Sequence, residues 1–387
     1  MTTKQIAATT PKTSTFTLAA ITAATLTVLT GVTQPLLITV AKEYGLTDPR
    51  AQLYMLFYYI GPASISLSIR SRCFSHRSGG DDDGSGNDEE KSTLINSTAS
   101  SDDTTTLSEN EWPSGYSLLK AAGIAAIDIF AQSMNYTGVS MAGPTIFAII
   151  YSSVTIWTAV YSRVLLHRKL TPYQWSGVGI VFGGLTLTCL HSLQLGPKVF
   201  LGSCLIFVGS SIHALVYVIS EYIMTRGKFR ITVRANCAIQ GLVACIALLL
   251  WQIVYTRPRY SELIRQPMME AGTSWSKALV VFLGIALANF IHSISFFYTL
   301  RHFPGGAVSA GVLKGLQAVL VFAATSFAFC GHVGGEEMCF NGAKLLSLVV
   351  VVGGSMVYGK ATEVQSKKEV ASDGYRSVPD AVIENKD

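Results

Sequence analysis

One lysine, Lys314, stands deep inside the apolar run GVLKGLQAV with Gly311 and Gly315 beside it. An ammonium at that depth costs several kcal/mol unless it meets a wet cavity or a partner. The two glycines leave space for a ligand and favour the cavity; the alternative is a stem stretched back to the interface. In another apolar run Asp128, Gln132 and Asn135 follow i, i+4, i+7 spacing and so share one helix face. Such a stripe in lipid faces the bundle interior or water, either lining a pathway or bonding helix to helix. Depth makes Lys314 the expected partner of Asp128, and a protonated Asp128 in proton-coupled transport is the other option. A third run carries His213, Tyr217 and Glu221 at four-residue spacing, and a fourth carries Asn289, His292, Ser293 and Phe296. Each histidine is read first as a hydrogen-bonded packing residue; Glu221 is expected near a span end, where Arg226 can pair with it. Lys120 and Lys344 are expected at the membrane interface.

The elements that must hold these residues follow from composition. Apolar residues make up 49% of the 387, charged residues 14%, and mean hydropathy is +0.40. So few charges cannot cover a soluble domain of this size. A span needs about 20 apolar residues, and ten stretches qualify: about 18–40, 51–70, 115–136, 141–162, 173–190, 199–224, 235–255, 278–300, 306–330 and 340–359. The expectation is an all-α integral membrane protein of about ten transmembrane helices. Residues 1–17 are read as a cytosolic N-terminus. Residues 71–114, acidic and rich in Ser, Thr and Gly, are read as a disordered cytosolic loop, and 361–387 as a disordered cytosolic tail. With both termini cytosolic, fifteen Lys and Arg fall on the cytosolic side against seven opposite, before the long loop is counted.

The halves are weakly alike. A shift of 162 lays Tyr136-Thr137 on Tyr298-Thr299 and Gly143 on Gly305; beyond an eight-residue insertion, Val181, Gly183 and Gly184 fall on Val351, Gly353 and Gly354. This order favours spans 1–5 (18–70 and 115–190) and spans 6–10 (191–360) as two five-helix repeats. An odd number of spans inverts the second copy.

The chain has no phosphate-cradling Gly-rich loop, no Cys-x-x-Cys pair and no His-Glu-x-x-His, so no enzyme, cofactor or metal site is expected. Its net charge of +5 is spread over loops, which reads as membrane orientation and not nucleic-acid binding. Cys330 and Cys339 bracket a short loop on the non-cytosolic side, where an oxidising lumen would join them; two unpaired cysteines are the slightly favoured alternative. Asn96 begins a glycosylation pattern, but in the cytosol it stays bare. Tyr375-Arg376-Ser377-Val378 fits a sorting pattern read by vesicle coat adaptors.

The segment YSSVTIWTAVYSRVLLHRKLTPYQW, through Tyr151, Thr158, Ala159, Arg168, Lys169, Leu170, Gln174 and Trp175, resembles the nucleotide-sugar transporters of the drug/metabolite transporter superfamily. VLKGLQAVLVFAATSFAF is similar to that family's Leu-Lys-Gly-Phe segment, with Lys314 on its lysine, and GAKLLSLVVVVGGSMVYG fits its last span. Two positions depart: Val154 stands where many of these carriers have a second lysine, and Leu316 replaces the phenylalanine. The resemblance implies a solute carrier family 35-like antiporter of the Golgi or a related endomembrane, exchanging a nucleotide sugar for a nucleoside monophosphate. Other carriers of sugar phosphates, amino acids, amines or proton-coupled metabolites, and a non-transporting scaffold, remain as alternatives. The residues expected at the solute are Lys314, Asp128, Gln132, Tyr151, Gly311, Gly315, Asn289, His292 and Tyr217. The expected partners are the solute and the bilayer, with a second copy of the chain and adaptors at Tyr375 as further candidates.

Overall fold

The computed structural model describes residues 18–69, 112–113, 115–165, 167, 170–225, 231–303, 306–331, 339 and 341–376, with side chains as far as Gln365. The expected N-terminus, the expected loop apart from 112–113, Asn96, Arg168, Lys169, Arg226 and the side chain of Tyr375 lie outside the described residues.

Among the described residues twelve α-helices follow in order: α1 (Leu18–Glu43), α2 (Leu53–Ser64), α3 (Gly115–Ala142), α4 (Pro144–Tyr151), α5 (Val154–Leu165), α6 (Pro172–Gln194), α7 (Pro197–Thr225), α8 (Val233–Trp251), α9 (Gln266–Glu270), α10 (Trp275–His302), α11 (Ala307–Ala328) and α12 (Gly342–Arg376). Each of the ten expected stretches contains helix. Among the described residues, seven helical stretches are long and apolar enough to cross a membrane: Leu18–Glu43, Gly115–Ala142, Pro144–Leu165, Pro197–Thr225, Val233–Arg259, Trp275–His302 and Gly342–Gln365.

Four boundaries differ from expectation for local reasons. The second stretch tightens after Ser64 into a 3-10 turn, Ile65–Ser68, two residues past Pro62. The fourth is two helices, broken at Ser152-Ser153, where the backbone closes i to i−3 turns and the Ser152 hydroxyl donates to the Ile149 carbonyl. The seventh runs on past Trp251 through irregular turns, Gln252–Arg265, into α9. The expected tail begins as helix, since α12 continues to Arg376. Residues 361–373 contain no Pro or Gly and several good helix formers, and extending a helix is cheaper than starting one.

Helix starts are legible in the chain. Thr171 and Gln174 form a capping box on α6, with Pro172 at its first position. Thr232 and Ser274 accept from the third backbone amides of α8 and α10. Gly143, at φ 81°, turns the chain between α3 and α4.

The principal packing pairs are α6 with α12, α3 with α7, α1 with α10, α2 with α8 and with α10, α3 with α8, α5 with α7, α1 with α11, and α4 and α5 with α11. Close approach is made by glycine. A Cβ on Gly184 would lie 2.6 Å from Val351 Cγ2, and one on Gly354 would lie 2.7 Å from Val181 Cγ2. Gly138 and Gly202 meet likewise across α3 and α7: a Cβ on either would come within 3.0 Å of the other's carbonyl oxygen. In lipid, where apolar surface gains nothing by leaving the solvent, such fit is what holds helices together.

At one end of the bundle the turn after α1 is clasped by the stretch after α8. Arg50 pairs with Asp48 at 3.0 Å and Glu262 at 2.8 Å, and Gln252 and Thr256 donate to the Ala51 carbonyl. Cys330 and Cys339 are joined in a disulfide between α11 and α12, which decides the alternative left open by the sequence. Lys344 is not interfacial as expected: it is buried, 2% exposed, and donates to the Cys339 carbonyl.

Candidate functional site

Eight helices, α1, α2, α3, α4, α7, α8, α10 and α11, surround a central cavity whose unfilled space, its mouth included, is about 870 Å³. α5, α6, α9 and α12 contribute nothing to its lining.

The α3 stripe supplies one wall. Asp128 Oδ2 accepts from the Tyr59 hydroxyl at 2.8 Å, and Oδ1 lies 3.2 Å from His213 Nδ1, an ion-pair distance without hydrogen-bond alignment. One turn on, Gln132 donates to the Tyr58 hydroxyl at 3.0 Å. Asn135, next on the stripe, turns instead into the α3–α7 seam against Gly209.

The opposite wall comes from α1 and α10. Asn289 donates to the Tyr58 carbonyl at 2.7 Å and accepts from Gln34 at 2.8 Å. His292 Nδ1 lies 2.9 Å from the Thr30 hydroxyl. Polar groups enclosed this way need such partners, because each unpaired one costs about 1–3 kcal/mol.

Lys314 enters from α11 and is 5% exposed. Its Nζ lies 5.4 Å from the ring centres of both Tyr151 and Phe296, a cation–π position. The Tyr151 and Tyr217 hydroxyls meet at 3.0 Å. Among the described residues no carboxylate stands within ion-pair distance of Lys314. The expected Asp128–Lys314 pair is therefore replaced by Asp128 with Tyr59 and His213. Depth along a helix fixes height but not which way round it a side chain points.

Seven of the nine expected residues, Lys314, Asp128, Gln132, Tyr151, Asn289, His292 and Tyr217, line this one space. Gly311 and Gly315 do not. Gly311 packs on Thr155, whose hydroxyl donates to the Gly311 carbonyl at 2.7 Å, and Gly315 faces Ser355. They hold α11 against its neighbours instead of making room for a ligand. Glu221 caps α11, its Oε2 accepting from the Ala307 amide at 2.9 Å.

Sequence reasoning missed Gln34, Tyr58, Tyr59, Gln240 and Gln317. Gln317, one turn beyond Lys314, was within reach of the i, i+3 rule that paired the others. It donates to the Thr27 carbonyl at 2.8 Å. Gln34 in the first span was a similar signal.

A charged and polar cavity enclosed by helices with apolar outer faces marks a multi-pass membrane protein. Residues 101–190 match the EamA-like transporter family, which belongs to the drug/metabolite transporter superfamily. The chain is 25% identical over 254 residues to "Solute carrier family 35 member F6" of Rattus norvegicus, covering 60% of this chain and 64% of that protein. It is 29% identical over 104 residues to the protein of the same name from Mus musculus, covering 25% and 28%. The matches thus span less than two thirds of either relative. A solved crystal structure aligns over 90% of this chain and 98% of its own at TM-score 0.46 and 15% identity.

Proposed function

We propose that the chain is a secondary carrier that moves a small polar solute bearing an anionic group across an internal membrane by alternating access. Lys314 carries this reading: a buried cation in an aromatic-walled polar cavity, with no carboxylate partner among the described residues. A negative group entering there would compensate the ammonium where water screens it poorly. Exchange of a nucleotide sugar for its nucleoside monophosphate, which the motif resemblance implies, is the first form to test.

The packing supports ten spans in two inverted halves. With α4 and α5 counted as one span and α9 set aside, the first five spans can be exchanged for the last five. Each principal packing pair then becomes itself or another principal pair: α1 with α10 becomes α3 with α7, α2 with α10 becomes α3 with α8, and α5 with α7 becomes α1 with α11. Gly184 against Val351 becomes Gly354 against Val181 at the same offset of 170. Rocking one half on the other about such an axis is how inverted repeats alternate. The Cys330–Cys339 disulfide supports an oxidising compartment at its end, and the Lys and Arg distribution supports cytosolic termini.

The test is uptake by proteoliposomes preloaded with nucleoside monophosphates and offered a panel of nucleotide sugars, with Lys314→Ala beside the wild type. Exchange lost in Lys314→Ala is expected; full exchange by folded Lys314→Ala removes the site.

A further inference from the structure

The cavity holds both signs of charge and does not join them. Lys314 rests between the rings of Tyr151 and Phe296, and Asp128 rests on Tyr59 and His213. Both are more than nine-tenths buried, at 5% and 6% exposed. Tyr151 adjoins each pole: Lys314 lies over its ring, and its centre is 5.9 Å from that of His213. Opposite charges sharing a desolvated space gain by pairing, since each alone bears the cost of leaving water. Here each is held elsewhere, the ammonium by ring faces and the carboxylate by a phenol and an imidazole. A pure anion would relieve Lys314 and be repelled by Asp128, and a pure cation would meet the reverse.

We propose that the carried solute is amphoteric, with one phosphate or carboxylate directed to Lys314 and one ammonium directed to Asp128. Tyr58 and Tyr59 stand with Asp128 in the lining, and aromatic rings attract an alkylammonium. Gln132 and Asn289 stand along the same walls for the polar atoms between the charged ends. This rests on the carrier reading and narrows it, because a nucleotide sugar without an amine leaves Asp128 unsatisfied.

Full-length chain in proteoliposomes is offered two matched pairs, phosphoethanolamine against ethyl phosphate and β-alanine against propionate, with UDP-glucose alongside. The expected result is at least tenfold faster uptake of the amine-bearing member of one pair, collapsing to near parity in Asp128→Asn. Equal or faster uptake of the amine-free members, or of UDP-glucose, overturns the amphoteric solute and leaves the carrier standing. A preference that survives in folded Asp128→Asn overturns the role of Asp128. Should that variant fail to fold, the wild-type comparison alone decides whether the solute is amphoteric. Uptake of none of the five by folded protein overturns both readings.

Discussion

Along α6 and α12, Gly177, Gly184 and Gly354 bring two backbones together, and along α3 and α7, Gly138, Gly202 and Gly209 do the same. The first pair lines no part of the cavity; the second gives it Asp128, Gln132, Tyr136, His213, Val216 and Tyr217. Both seams are dry and made of small residues. The difference lies in what the other faces of the helices carry. Those of α6 and α12 are largely aliphatic and turned to lipid, as with the exposed Ile180, Leu187, Leu346 and Val349. Those of α3 and α7 carry carboxylate, amide, imidazole and phenol, which lipid rejects and a cavity accepts. A seam of glycines therefore says that two helices touch, and the polar residues a quarter-turn away say whether the pair serves as frame or as wall.

Substitutions that separate frame from wall test this division. Gly184→Leu has the largest expected effect, because its side chain must enter space held by Val351 Cγ2 at 2.6 Å and the Val351 amide nitrogen at 3.0 Å. Overpacking of this kind costs about 1–3 kcal/mol or more. The yield of monodisperse protein in size-exclusion chromatography should collapse, and normal yield would show that the seam yields. Lys314→Ala belongs to the wall. We expect uptake to fall about 100-fold, an apparent loss of about 2.7 kcal/mol, with the melting temperature in detergent held or raised, since a buried lone charge has been removed. A large fall in melting temperature instead would make Lys314 part of the frame. Tyr59→Phe removes one hydroxyl from Asp128. Uptake should drop about tenfold, which corresponds to about 1.5 kcal/mol, the lower end for a hydrogen bond to a charged group, and unchanged uptake would detach Asp128 from the wall. Gln174→Ala is the mildest. It removes the capping box of α6 and the 2.8 Å bond to Thr362. About 1 kcal/mol of stability should go, read as a small melting shift with uptake per folded molecule unchanged.

Much of the frame was legible because apolar length and helix start signals are local. Most of the apolar stretches could be bounded within a few residues, the end of α12 being the exception that ran furthest, and Thr171, Pro172 and Gln174 announce their helix directly. The break at Ser152-Ser153 was not legible, since neither residue forbids helix and the surrounding run is uniformly apolar. Of the wall, what showed was any polar residue in an apolar run, which is why Asp128, Gln132, Asn289, His292 and Lys314 stood out. Tyr58 and Tyr59 did not, because a tyrosine in a span serves equally well as packing, interface anchor or cavity lining. Partnership was the least legible. Asp128 and Lys314 share a depth, but pairing depends on the rotation of two helices far apart in sequence, and that is set by seams such as Gly138 with Gly202.

The interruption between α4 and α5 bears on how the site can change shape. A continuous helix resists bending because every turn is tied to the next. At Ser152-Ser153 the ties shorten, so the span can flex there while breaking few backbone bonds. Tyr151 is the last residue before that joint, and it touches Lys314 on one side and Tyr217 on the other. A few degrees of wrist motion at the two serines would therefore swing the aromatic ring that now screens the lysine.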